Sequence, residues 1–291
     1  MKRNLANIIA GTLLFLAVGH TEDEDAVRWK RREEPEKKQE LELLHSTLAL
    51  NLPTAETLRR KDLEFVLGHR FLPAVDSGAQ TLYGLDGGAR IRLGLNAGLS
   101  DHLTAGIGRT NMDDNLELDL KHKLLQRDGA TLPALLAWRL GGAWNGQVAG
   151  RPKGDARNYQ GFGQLIWNGL YRKKLGIGIV PSFLENSDPY SRQREHVFTA
   201  GGYLQYYFTP RFAGLTEWNG RLSGSRSLSE SLSFGLELNT GGHFFKLHYS
   251  NNTRLAASQT IAGADSPISG GDWHLGFTIT RLLQLSKPGG K

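Results

Sequence analysis

Arg90 and Arg92 stand two residues apart, and the same spacing recurs through Glu117, Asp119, Lys121 and Lys123. On an extended strand, residues two apart point to one side, so each set aims its charges at one place. Two guanidinium groups presented together can hold a carboxylate or phosphate through forked hydrogen bonds. Arg70, Arg139, Arg221, Lys174 and Lys246, with Glu64, Glu217 and Glu237, fall on the same parity in their own segments. The cations outnumber the carboxylates, so the chemistry these residues suggest is binding or passage of a small solute with a preference for anions. The same charges would also fill space by pairing across neighbouring strands. A second candidate is His248 with Ser250, a base and a hydroxyl on one strand face within reach of a hydrogen bond. They share the face of Lys246, on the polar side. The nine histidines have no metal-ligand spacing, and Asp113-Asp114 between Asn111 and Asn115 reads as a turn. The glycine-rich stretch 83–88 precedes no helix and is no phosphate loop. No cofactor or metal site is expected.

For these charges to converge, the segments that carry them must be strands. The clearest is 90–99, where Ile91, Leu93, Leu95, Ala97 and Leu99 alternate with Arg90, Arg92, Gly94, Asn96 and Gly98. Period two is the strand period. About twelve such segments follow one another, at 63–71, 89–99, 103–110, 116–125, 134–144, 159–171, 175–183, 196–208, 212–222, 228–238, 243–251 and 273–283. In a soluble sandwich their apolar faces would meet inside; in a membrane barrel they would face lipid around a polar interior.

Three features favour the barrel. Strands of about nine to eleven residues are long enough to span a bilayer at a tilt. Every second connection is short (100–102, 126–133, 172–174, 209–211 and 240–242). The long ones (72–88, 145–158, 184–195 and 252–272) all fall on the other parity. Aromatic residues gather toward both predicted rims, with Phe71, Trp144, Phe183, Phe198, Tyr249 and Trp273 on the long-loop side and Tyr171, Tyr206, Phe208 and Phe212 on the other.

The start of the chain agrees. Lys2 and Arg3 precede an apolar run over 5–19 that closes on Ala17-Val18-Gly19, the form of a secretory signal peptide over 1–20. There is no cysteine, hence no disulfide framework. Residues 21–44 carry nine acidic and six basic side chains, in a chain whose formal net charge is +6. They read as a charged periplasmic arm, and 45–62 as the link into the first strand, with a turn at Asn51 to Pro53. The barrel then runs over 63–285, and 286–291 is a polar tail. A basic balance spread over strand interiors in an exported chain does not suit nucleic acid.

The run from Leu48 to Leu125 resembles the DUF5777-type family of bacterial β-barrel proteins. The resemblance rests on Asn51-Leu52-Pro53-Thr54-Ala55-Glu56-Thr57-Leu58, Leu67-Gly68-His69-Arg70-Phe71, 83–89 (YGLDGGA), Gly106-Ile107-Gly108-Arg109 and Gly241-Gly242-His243-Phe244-Phe245. It implies an outer-membrane barrel and supplies no activity. His248-Tyr249-Ser250-Asn251 is similar to the His-x-Ser-Asn stretch of outer-membrane phospholipase A, another twelve-stranded barrel, but there the pair faces lipid.

The expectation is therefore an all-β, single antiparallel up-and-down transmembrane barrel of ten to fourteen strands with a charged N-terminal arm. Its surroundings would be outer-membrane lipid. Its lumen would carry Arg70, Arg90, Arg92, Lys121, Lys123, Arg139, Arg221, Glu117, Asp119 and Glu237 toward a small, anionic solute. The alternatives are a docking barrel that recruits a periplasmic protein through 21–44, and a lipid hydrolase using His248 and Ser250.

Overall fold

A computed structural model describes residues 40–224 and 228–285. The signal peptide, the arm up to residue 39 and the polar tail lie outside the described residues. The strands are β1 (Leu63–Phe71), β2 (Ala89–Ser100), β3 (Leu103–Thr110), β4 (Asn115–Arg127), β5 (Ala134–Asn145), β6 (Tyr159–Tyr171), β7 (Leu175–Glu185), β8 (His196–Thr209), β9 (Phe212–Gly224), β10 (Ser231–Asn239), β11 (His243–Ser250) and β12 (His274–Leu283). Each pairs antiparallel with its chain neighbours, and β1 closes on β12 to complete the barrel. Closure leaves no strand edge unpaired, the condition for crossing lipid with strands.

Alternation sets which way each side chain points. On β2, Ile91, Leu93, Leu95 and Leu99 are exposed on the outer surface, and the same holds for Leu118 and Leu120 on β4 and Leu236 and Leu247 on β10 and β11. Near the rims the outer surface carries ring clusters. Tyr249 and Phe234 stack on Trp273 at the long-loop end, and Tyr206, Phe208 and Phe212 pack together at the short-turn end. A bulge between Lys123 and Leu125 puts one extra residue in β4, so Leu124 and Leu125 both face outward and Gln126 returns to the inner face.

The interior is filled from both ends. Residues 40–62 are not an external link: they enter at the short-turn mouth and turn back inside the barrel. There Leu48 bridges to Pro53 and the Ala49 N–H donates to the Leu52 carbonyl at 2.8 Å. From the long-loop end, the β11–β12 connection folds inward and carries a buried single-turn helix, α1 (Ala257–Ala262). Nor is the inner wall uniformly polar. Leu135, Ala137, Ile166, Val180, Tyr203, Tyr207, Ala213 and Leu215 form an apolar sector that packs on Leu43, Leu44, Leu50, Leu52 and Ala55 of the inserted segment. Phe162, Leu184 and Val197 do the same for α1. Lys174, read above as interior, is exposed in the turn between β6 and β7, one residue before the inward alternation begins.

Leu93 lies midway along β2 on the outer surface. Leu93→Arg is expected to destabilise the barrel in phospholipid vesicles by about 2–4 kcal/mol, the cost of a charge near the bilayer midplane. Reversible denaturant unfolding measures it, and a charge reversal at the exposed turn, Lys174→Glu, should cost almost nothing.

Candidate functional site

Most of the inward charges hold the chain's own backbone. The Glu217 carboxylate on β9 accepts the N–H groups of Leu50 (3.0 Å), Asn51 (2.9 Å) and Leu52 (2.9 Å), and the Asn51 side-chain amide (3.0 Å). Three successive amides converging on one anion form a nest. The carbonyls of the same turn face cations. The Lys246 ammonium donates to the carbonyls of Leu48 and Ala49 and pairs with Glu237 at 3.1 Å. The Lys121 ammonium donates to the carbonyls of Thr47 (3.3 Å) and Thr54 (3.1 Å). Asn168 accepts the Ala55 N–H, Thr104 the Leu58 N–H, and Glu64 both the Thr47 hydroxyl and the Asn96 amide. A segment without regular structure thus finds its partners on six strands. Asn51 also accepts from Arg70 Nη2 at 2.8 Å, which links β1 through the turn to β9.

The second insertion is held alike. Glu117 on β4 accepts the N–H groups of Ala257 (3.0 Å) and Ser258 (2.7 Å) and the Ser258 hydroxyl, with Arg92 at 3.7 Å. Asp265 accepts from Arg90 (2.9 Å), Arg254 (3.0 Å) and Thr253. Burial pushes the Asp265 carboxyl up, but Arg254, Arg90 and Thr253 outweigh it and hold the group below the usual carboxylate range. Arg90 and Arg92 therefore do meet carboxylates, supplied by this chain.

The remaining charges complete the lattice. Arg139 makes a fork to Asp119 (2.8 and 2.7 Å), and Lys123 pairs with Glu40 at 2.7 Å near the short-turn mouth. Arg221 donates to the Leu228 carbonyl near the long-loop rim and takes no part in the lattice. Two of the spaces left between the described residues adjoin these groups. Beside Arg92, Asp119, Lys121 and Arg139 is a cavity of about 30 Å³, room for about two waters. At the long-loop end a cavity of about 250 Å³ lies over α1, lined by Asp113, Asn145, Gln160, Ser187, Tyr190 and Arg254 among others. The Tyr190 hydroxyl donates to Asp113 across its edge.

His248 and Ser250 both face the interior, and no hydrogen bond joins them. The Ser250 and Ser233 hydroxyls are 2.7 Å apart, and neither ring nitrogen of His248 has a protein partner. Glu56, which the sequence reading passed over, is buried on the inserted segment and accepts the N–H groups of Leu43 and Leu44, both at 3.0 Å. Burial pushes its carboxyl up to about 7, against the lowering effect of those two amides, Lys123 and Lys121. The apolar sector also went unread. Its trace in the sequence is doubled alternation, as in Leu135-Leu136-Ala137, Leu165-Ile166-Trp167 and Tyr206-Tyr207-Phe208, where both strand faces are apolar.

A closed twelve-strand barrel with an apolar outer face and a filled, charged lumen is a membrane-spanning β-barrel. The chain belongs to the family described as membrane bound beta barrel domain (DUF5777), whose model matches residues 44–283. No curated protein sequence matches it. Among solved structures, the chain is similar to the NanC porin in a rhombohedral crystal form, at 11% identity over 76% of this chain and 98% of that one (TM-score 0.45). It is also similar to the KdgM porin, at 8% identity over 77% and 99% (TM-score 0.42). Outer membrane phospholipase A from Escherichia coli aligns at 9% identity over 76% and 92% (TM-score 0.39). Nothing about solute or activity passes from these structures to this chain.

Removing the Glu217 carboxylate strands three buried amides, so Glu217→Ala is expected to cost about 3 kcal/mol or more. Proteinase K should then cut within 45–58 while the barrel stays whole; continued protection of that stretch would show that Glu217 does not hold it. Glu56 gives the docked segment a pH dependence. Free in solvent its carboxyl titrates near 4.5, and docked at about 7, so protons favour the docked form. That advantage is full at about pH 4.5 and below and is lost as pH rises through 7. Protection of 45–58 should be weaker at pH 8 than at pH 5, and Glu56→Gln should flatten the difference.

Proposed function

We propose that this is an outer-membrane barrel for a small polar solute, closed at rest by its own residues 43–58. The carrying observation is that inward Lys121, Glu217, Lys246 and, through His45, Glu237 are occupied by a non-regular segment of the same chain. Passage through the lumen then requires that segment to leave. Each bond it makes to a charged group is worth about 1.5–3 kcal/mol net, and water entering behind it replaces those bonds as it withdraws. Once it is gone, Arg70, Arg92, Arg139, Lys121, Lys123 and Lys246 face Glu64, Glu117, Asp119, Glu217 and Glu237, which favours an anion. The cavity above α1, with its amides, hydroxyls and Arg254, is the first polar site a solute meets from the long-loop side. Against hydrolysis stands the separation of His248 from Ser250 inside the lumen.

A second reading, recruitment of a periplasmic protein by 21–44, draws support from the way residues 40–44 are fastened at the short-turn end. Glu40 contacts Lys123 and His102 there, and Glu42 pairs with Arg59.

Planar-bilayer recording tests both. The full chain should stay mostly shut, opening more often at pH 8 than at pH 5. A variant lacking both 40–58 and the inward stretch 255–264 should conduct steadily, with a reversal potential in a KCl gradient that reports anion preference. A deletion variant that keeps its strand content by circular dichroism yet passes no current would sink the passage reading. Loss of 21–39 should leave conduction unchanged, and capture of a periplasmic protein that depends on those residues would favour the docking role.

A further inference from the structure

The geometry points to a binding site for a small monovalent anion, a halide or a single carboxylate group, between Arg70 and His248 in the closed barrel. It is a property of the filled lumen, requires no conduction, and so goes beyond the passage reading.

Arg70 on β1 and His248 on β11 both lie opposite Gly276 of the intervening β12. Two strand spacings separate them, about 10 Å between backbones, and both side chains point inward. The glycine makes the crossing possible. A Cβ at position 276 would lie 2.6 Å from Arg70 Nη1 and 2.7 Å from its Cδ, so the arginine lies across β12 where any other residue would stop it. Its guanidinium is thereby directed toward the imidazole.

Both side chains are out of solvent, Arg70 at 0% exposure and His248 at 2%. Yet among the described residues only Nη2 of Arg70 has a hydrogen-bond partner, Asn51, while Arg70 Nε and Nη1 and both ring nitrogens of His248 have none. Buried donors are normally satisfied, and a buried guanidinium is normally matched by a negative charge. Among the described residues no carboxylate touches this one. Lys246, two residues from His248, is matched by Glu237. Glu217 acts on Arg70 through space from beyond Asn51, and its oxygens are taken by the amides of 50–52. Ser250 and Ser233 are bound to each other. An anion accepting from Arg70 Nε and Nη1 and from the one N–H that a neutral imidazole carries satisfies these groups together. Because Asn51 shares Arg70, occupancy also steadies the turn that closes the lumen.

The test uses the full chain in detergent micelles. Its unfolding midpoint is followed against sodium chloride, bromide or formate, with sodium gluconate holding ionic strength constant. A saturable, anion-specific rise is expected; formate acting as well as halide extends the site to carboxylates. Arg70→Gln should abolish the rise, and His248→Gln and Gly276→Ala should raise the half-saturating concentration at least ten-fold. Arg211→Gln, at an exposed turn, should change nothing. Crystals of the unaltered chain grown with bromide should show an anomalous peak within about 3.5 Å of Arg70 and His248, a reading that survives even if a variant fails to fold. The proposal is overturned by a midpoint indifferent to halide, by a rise that persists in Arg70→Gln, or by bridging water where bromide should be.

Discussion

A backbone threaded through the inside of a barrel has to find a partner for each amide and carbonyl that it hides from water, and it cannot use a neighbouring strand, because the barrel wall has spent its own ladder on closure. Here the partners are side chains. Glu217 takes three amides in a row, Lys246 and Lys121 take four carbonyls, and Asn168 and Thr104 take single amides further along. The sign of each charge follows from this use. Carboxylates stand where N–H groups converge and ammonium groups where carbonyls do. The same rule places Glu117 under the start of α1 and Asp265 between Arg90 and Arg254. What reads in one dimension as a solute-binding surface is, at rest, a receptor for the chain itself.

Polar partners alone would give a segment no reason to leave water, since hydrogen bonds to protein mostly replace those to solvent. The apolar sector of the wall supplies the drive. Leu50 and Leu52 stand beside the residue whose side chain joins Arg70 to Glu217, so burying two leucines and satisfying their amides happen in one step. Glycine sets how closely they approach. A Cβ at Gly235 would lie 2.5 Å from Leu50, and the bare backbone there gives the leucine its place against β10. Such a segment is strongly specified where it docks, held by polar and apolar contacts together.

Two groups stand apart from this lattice. Glu56 is buried on the inserted segment rather than on the wall, so its protonation weighs directly on docking. Arg70 and His248 are buried on the wall with nitrogens that no described residue satisfies. Arg92 Nε is orphaned too, but Arg92 has Glu117 at 3.7 Å, and the absence of any such carboxylate beside Arg70 among the described residues makes the pair informative.

Period-two alternation was sufficient for the strands, their number, their order and the facing of nearly every charge, because a strand's side-chain direction is fixed by parity alone. Loop lengths gave the two ends of the barrel for the same local reason. Lys174 was misplaced because parity fails one residue beyond a strand, where the turn takes over. The sequence could not say what the inward charges bind. Residues 45–62 look like a link, since their contacts lie as far as 198 positions away at Lys246 and leave no periodic trace. Only closing β1 on β12 brings Arg70, Gly276 and His248 side by side, and only the fold of 40–62 into the lumen turns a charged passage into an occupied one. Parity is a property of neighbours in the chain; partnership inside a barrel is a property of residues that closure alone makes neighbours.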